Sequence, residues 1–169
     1  MKKIFLNIGK GFDQVLNLSL SISLFLMIFM LVIVTLGVVL RYFIGISFPA
    51  IYELIEYSML YFTMLAAPSL FRSDKHIKME FLVEKVQNRT RAILNLVTTT
   101  ISLVMSTVIT WFAISLTFDQ FIMSRMEQRV LNILFGYIIM AIPIGFFFIT
   151  LQLLRQVYKL AFEFRNLKK

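Results

Sequence analysis

The sequence predicts an all-α integral membrane protein with four transmembrane helices, short cytoplasmic amphipathic helices and both termini in the cytoplasm. The chain of 169 residues is 59% hydrophobic and 15% charged, and its mean hydropathy is +0.84. Soluble globular proteins are roughly 45–50% apolar. The polar side chains here are therefore too few to cover a water-facing surface. The chain also holds three uncharged runs of 25 residues or more, each longer than the roughly 20 helical residues that cross a bilayer.

The spans follow from these uncharged runs. The three long runs cover residues 14–40, 92–118 and 130–154. A shorter run at 57–71 reaches spanning length only if its helix begins near Phe48 and includes Glu53 and Glu56. We therefore predict a single four-helix membrane domain over residues 1–169. Its spans are expected at about 15–40, 48–71, 92–118 and 130–154.

The second span is the least stable of the four in lipid. Its apolar side chains favour insertion by roughly 0.3–0.6 kcal/mol each, whereas a carboxylate at the helix centre costs on the order of 2.5 kcal/mol or more. The two acids bring the sum close to neutral. We expect this helix to hold its acids against protein or lipid headgroups.

The distribution of basic residues predicts the orientation. The amino end, the link between spans two and three and the carboxyl end together contain 14 of the 17 Lys and Arg residues. The other side receives Arg41, Arg125 and Arg129. The positive-inside rule places both termini and the second link in the cytoplasm. The formal charge of +8 is thus mainly a topology signal and an attraction to anionic lipids. No basic–aromatic surface for nucleic acid emerges.

Two segments carry apolar residues at helical spacing between charges. One runs from Ile4 to Val15, and the other includes Met79, Leu82 and Val86 in the second link. Short helices lying in the inner headgroup layer would satisfy both patterns. The alternative is a simple extension of the spans into water.

The residue types present exclude several functions. With no cysteine, the chain cannot provide thiolate metal sites, iron–sulfur ligation or disulfide chemistry. The one histidine, His76, cannot supply paired haem ligands. Because the sequence contains no phosphate-binding glycine loop and no nucleophile with a base, we expect neither an enzyme nor a cofactor.

Charged residues at the outer end of spans one and two are the strongest functional signal. Glu53 and Glu56 are three residues apart on one helix, and Arg41 ends the first span on the same side. A charge inside a span indicates a functional site by default. Three interpretations remain open: a structural ion pair between Arg41 and Glu53, a contact with a cation on a larger partner, or a proton or cation relay within this chain.

The same region resembles a known family. Leu40-Arg41-Tyr42, a turn with Gly45 and Pro49, and Tyr52-Glu53-Leu54 are similar to the small membrane subunit of tripartite ATP-independent periplasmic (TRAP) transporters, the DctQ-like family. The similarity continues through Ala66-Ala67, Phe71-Arg72-Ser73 and Lys75-His76-Ile77. One departure is Ile51-Tyr52, where the family often has Trp just before the first acid.

The resemblance implies a division of labour in a sodium-coupled transporter of the bacterial inner membrane. A large multi-span subunit carries the sodium and substrate sites, and a periplasmic binding protein delivers an organic acid of the sialic acid or C4-dicarboxylate class. The small subunit is non-catalytic, scaffolds the large one and helps to dock the binding protein. Its expected partners are these two proteins and membrane lipids.

Further residues are assigned to such contacts as hypotheses. A mixed-charge outer loop is a candidate docking loop or a merely solvated one; it contains Asp119, Arg125, Glu127 and Arg129. Ser102, Ser106 and Thr110 on the third span either pack on a partner or pack within the four helices. The alternative function is a self-sufficient homo-oligomeric transporter or channel that uses Glu53 and Glu56.

Overall fold

The computed structural model describes residues 2–45, 48–72, 88–123 and 130–166, and within these it is helical and contains no β-strand. The helices are α1 (Lys2–Val39), followed by a π-helical turn (Leu40–Ile44), then α2 (Pro49–Arg72), α3 (Asn88–Ile122), α4 (Phe135–Ile139) and α5 (Ala141–Asn166).

Four helical stretches are long and apolar enough to cross a membrane, which confirms the predicted all-helical class. They are Gly11–Ile44, Pro49–Arg72, Ile93–Ile122 and Phe135–Phe162. The second helix begins at a proline, whose fixed φ and missing N–H suit the first helical position.

The last span differs from the prediction at its start. Residues 130–134 are not helical, and the span begins at Phe135 with the short α4, which a turn at Met140 separates from α5. The break has a local cause, because Pro143 has no N–H to donate to the carbonyl of Ile139.

The amino end also differs from the expected separate amphipathic helix. The backbone forms one uninterrupted helix from Lys2 to Val39, which corresponds to the alternative of a helical extension. Most of the second predicted amphipathic segment lies at residues 73–87, outside the described residues.

The four spans pack as a row in the order α1, α2, α5, α3. Contacts join α1 to α2, α2 to α5 and α5 to α3. The Ser19 hydroxyl of α1 donates to the Leu65 carbonyl of α2 at 2.8 Å, and the Ser69 hydroxyl of α2 donates to the Leu16 carbonyl of α1 at 2.9 Å. The last span in sequence is thus an inner member of the row.

Along the helix axes, the four-helix unit has two ends. One of them, called the terminal end, holds the start of α1, the end of α2 and the carboxyl-terminal half of α5. Three charged residues meet there. The Arg155 guanidinium lies 2.7 Å from a carboxylate oxygen of Asp13, and Arg72 donates to the Asp13 carbonyl at 3.1 Å. The opposite end, the Glu53 end, holds the π-helical turn, the start of α2 and the start of the last span.

Candidate functional site

Glu53 lies one turn into α2 with only 6% of its surface exposed. One of its carboxylate oxygens accepts a hydrogen bond from the backbone N–H of Val130 at 2.8 Å, and the other accepts from the N–H of Leu131 at 3.0 Å. Hydrogen bonds to an ionised acceptor are roughly twice as strong as neutral ones. The carboxylate therefore fixes the segment before the last span to the start of the second span.

The segment bound by Glu53 is shaped for a sharp change of direction. Asn132 has a φ of +43°, in the left-handed region that Asn tolerates better than most residues. The chain then enters α4, where the Tyr61 hydroxyl of α2 donates to the Tyr137 carbonyl at 2.5 Å. Tyr137 also packs edge-to-face on Phe121 of α3, with ring centroids 5.2 Å apart. The second and third spans therefore both contact the short helix that begins the last span.

Arg41 lies in the π-helical turn and is exposed. In residues 2–45, 48–72, 88–123 and 130–166 its side chain forms no ion pair, so the predicted Arg41–Glu53 pair does not occur: Glu53 uses backbone amides in place of the guanidinium. Glu56, one turn beyond Glu53, is exposed. The two acids therefore have different environments, although their spacing places them on neighbouring helix positions.

Of the four charged residues assigned to the candidate docking loop, the structure describes Asp119, which lies in the helix α3 and not in a loop. Asp119 is exposed near the end of α3, on the last turn before the linker. Arg125, Glu127 and Arg129 lie outside the described residues. The residue that follows them, Val130, is the one whose N–H binds Glu53.

Asp13 is a site residue that the sequence analysis missed. It lies at the terminal end, between Arg155 at 2.7 Å and Arg72 at 4.0 Å, and the three side chains are each about one third to one half exposed. The Gln156 amide also donates to the Phe71 carbonyl, which links α5 to α2 at the same level. The available signal was a lone acid next to the first uncharged run.

A cluster of hydroxyl groups joins α3 to α5 in the middle of the row. The Thr150 hydroxyl lies 2.7 Å from that of Ser106 and 3.2 Å from that of Thr110. Ser106 and Thr110 are buried, whereas Ser102 is exposed. Two of the three small polar residues on the third span thus pack within this chain, as one of the two hypotheses expected.

Among the described residues, no group of three His, Cys, Asp or Glu side chains is arranged to hold a metal ion. Glu53 binds backbone amides, and Asp13 pairs with Arg155 while its carbonyl accepts from Arg72. Their observed role is to connect helices.

Comparison with known proteins gives one family match. The model of the family described as tripartite ATP-independent periplasmic transporters, DctQ component, matches residues 30–163. The match includes the Arg41 turn, Glu53, the hydroxyl cluster and Arg155. No curated protein matches the chain.

Proposed function

Because the chain belongs to the DctQ component family of TRAP transporters, we propose that it is the non-catalytic small membrane subunit of a sodium-coupled uptake system for an organic acid. The family is one of transporter components, which supports a non-enzymatic role. We further propose that it scaffolds the large membrane subunit and helps to dock the periplasmic binding protein. Sialic acids and C4-dicarboxylates are the proposed substrate classes.

The environment of Glu53 is the observation that best supports a scaffolding role. A transport carboxylate must exchange its proton or cation with water during the cycle. Glu53 is buried, and each of its oxygens already accepts a backbone N–H. This arrangement favours a structural acid over the proton or cation relay that the sequence left open.

The exposure of α1 supports a role as one part of a larger membrane assembly. In α1 only 6% of the most apolar window is buried within the chain, against 39% in the last span. Phe25 and Leu31, for example, are 68% and 62% exposed. In a membrane such side chains face lipid or another protein, so α1 offers a long surface to the large subunit.

We propose that the terminal end faces the cytoplasm and that the membrane is the bacterial inner membrane. Asp13, Arg72 and Arg155 bring the start of the first span and the ends of the second and fourth to one end of the row. The segments richest in Lys and Arg adjoin that end in the sequence, and such segments stay cytoplasmic. The candidate docking loop would then face the periplasm, next to the segment that Glu53 fixes.

Reconstitution tests this function directly. The chain is expressed with its cognate large membrane subunit, purified in mild detergent and placed in liposomes with a sodium gradient and the cognate binding protein. We expect uptake of the organic acid only when both membrane subunits are present. When the two are expressed together, the chain should co-purify with the large subunit. When it is purified alone, it should transport nothing.

Two results would overturn the proposal. Robust uptake by liposomes that contain this chain alone would support the homo-oligomeric transporter or channel. Full sodium-driven uptake by the large subunit in the absence of this chain would show that no scaffold is required.

A further inference from the structure

The structure contains a groove at the Glu53 end, between α1 and α2. Its lining is mostly apolar and includes one cation and two aromatic side chains. The lining residues that matter here are Gly37, Val38, Ile51, Ile55, Arg41 and Tyr52. The groove has a volume of about 70 Å³, far below the roughly 300–1,000 Å³ of pockets for drug-sized ligands. It is therefore suited to a short stretch of hydrocarbon chain.

The depth of the groove depends on a close approach of the two helices. A Cβ atom on Gly37 would lie 3.3 Å from the Cγ2 atom of Ile51, so glycine lets the helices meet at the floor. The next residue of α1, Val38, also lines the groove and is 51% exposed, so the groove is open to the surroundings of the helix pair. In a bilayer, the molecules beside such an opening are lipids.

The guanidinium of Arg41 gives the groove its chemical preference. Arg41 lines the groove, is exposed, and forms no ion pair with any residue in the described part of the chain. Glu53, the nearest buried acid in the sequence, has both oxygens committed to Val130 and Leu131. A cation near a membrane interface without a protein counterion attracts anionic headgroups.

From these observations we infer that the groove is a binding site for one anionic phospholipid of the leaflet at the Glu53 end. The guanidinium binds the phosphate in the bidentate geometry that arginine and phosphate favour. The first part of an acyl chain lies along Val38, Ile51 and Ile55. Tyr52, which is 57% exposed, stands at the headgroup level, where aromatic side chains with a polar tip are enriched.

Lipid titration of the full chain tests this site. The chain, purified alone in mild detergent, is titrated with phosphatidylglycerol or with phosphatidylcholine of the same acyl chains, and bound lipid is counted by native mass spectrometry. The first phosphatidylglycerol should bind at least about fivefold more tightly than phosphatidylcholine, as expected for a charge-assisted contact. Glycerol phosphate, which has the headgroup without the chains, should not compete.

Three variants separate the site from general electrostatics. R41Q should abolish the preference for phosphatidylglycerol, whereas R125Q, which removes the same charge from the linker after α3, should retain it. V38F, which places a larger side chain in the lining of the groove, should weaken binding of both lipids. Helix content and melting temperature are measured for every variant. If R41Q does not fold, V38F and the wild-type preference decide the question.

The site is disproved if wild-type chain binds the two lipids equally. An equal loss of preference in R41Q and R125Q would assign the effect to net charge. Competition by glycerol phosphate would assign it to a free anion. If V38F bound both lipids as tightly as the wild type, the groove would not be part of the lipid site.

Discussion

The carboxylate of Glu53 is buried, and a buried charge requires hydrogen-bond partners. Two backbone N–H groups are those partners. The interaction works in both directions. The amides of Val130 and Leu131 lie in a non-helical segment and so have no partner within a helix, and Glu53 gives each of them an acceptor. One side chain thus satisfies two donors and holds two distant parts of the chain together.

Replacing this carboxylate should destabilise the protein and weaken its assembly. E53A leaves two donors unpaired, and we expect a loss of about 2–4 kcal/mol in the free energy of unfolding, since hydrogen bonds to charged groups contribute roughly 1.5–3 kcal/mol each before partial compensation. E53Q keeps one acceptor oxygen and should lose less. The measurement is thermal unfolding in detergent together with recovery of the large subunit in co-purification.

The matched control is D119N, which removes an exposed acid near the same end. It should change stability by no more than about 0.5 kcal/mol, as surface substitutions usually do. If E53A and D119N were equally stable, Glu53 would have no structural role. If assembly stayed normal while sodium stoichiometry changed, Glu53 would belong to the transport path.

At this scale the sequence identified the important acid but not its partner. A carboxylate inside an apolar span stands out in composition, so Glu53 was found. The donors are main-chain N–H groups of Val130 and Leu131, which carry no side-chain signal. The sequence therefore offered Arg41, the nearest charge of opposite sign, as one of three interpretations, and in the described residues Glu53 binds the two amides and not Arg41. Asp13 was missed because an acid beside a span has no distinctive spacing.

At the scale of elements, α2 and α5 approach each other closely at Gly145. A Cβ atom on Gly145 would lie 2.7 Å from the Met64 carbonyl oxygen and 2.8 Å from the Met64 Cβ. Backbone atoms cannot move aside as the end of a flexible side chain can. Small residues allow helices in membranes to approach this closely.

G145A should therefore separate α2 from α5 and lower the melting temperature, with a destabilisation of about 1–3 kcal/mol, as is typical of overpacking. G11A is the control, because a Cβ on Gly11 meets no atom within 4 Å and alanine favours a helix by roughly 0.5–1 kcal/mol relative to glycine. Unfolding monitored by circular dichroism in detergent compares the two. Equal melting temperatures for G145A and the wild type would contradict the tight crossing.

The hydroxyl cluster should make a smaller contribution. T150V removes the bonds to Ser106 and Thr110, and we expect it to weaken the α3–α5 contact by about 0.5–1 kcal/mol, close to the average for such bonds in membranes. T107V is the matched control, because the Thr107 hydroxyl is exposed and donates to Leu103 of its own helix. Denaturation of both variants in mixed micelles measures the difference in their free energies of unfolding. If T150V and T107V were destabilised equally, the loss would be due to removal of a hydroxyl as such and not to the contact between α3 and α5.

Helix existence could be predicted from the sequence, whereas some boundaries could not. Uncharged length decides whether a helix can span, and all four stretches were found. The start of the last span was set five residues early, because residues 130–134 are as apolar as a helix while Glu53 and the left-handed Asn132 hold them in another conformation. Neither constraint is visible in hydropathy.

For the whole molecule, the order of helices in the row is a testable arrangement. The chain has no cysteine, so introduced pairs are the only thiols. S106C/T150C should form a disulfide on mild oxidation, because the native hydroxyl groups lie 2.7 Å apart and a disulfide requires neighbouring Cβ atoms. This pair reports the α3–α5 contact.

The control pair is S21C/T100C, on the exposed faces of α1 and α3. These helices are at opposite ends of the row, so no disulfide should form within one chain. Mobility on a non-reducing gel distinguishes the products. An efficient disulfide within one chain for S21C/T100C would mean that the four spans close into a ring.

The row order was not predicted, because hydropathy gives the spans and their orientation but no neighbours. Neighbours are chosen by small local features such as the Ser19 hydroxyl, Gly145 and Thr150. Each of these features is common in membrane helices. It identifies a neighbouring helix only when the residue that it contacts on that helix is known.

The inner position of the last span has a consequence for biosynthesis. Helices leave the ribosome in sequence order, so α1 and α2 can pair as a hairpin as soon as both have entered the membrane. In the part of the chain that the structure describes, the third span packs mainly on α4 and α5, which are made last. It must wait in the lipid or beside the insertion machinery until the final helix enters between it and α2. Completion of this subunit therefore depends on the last part of the chain to be translated.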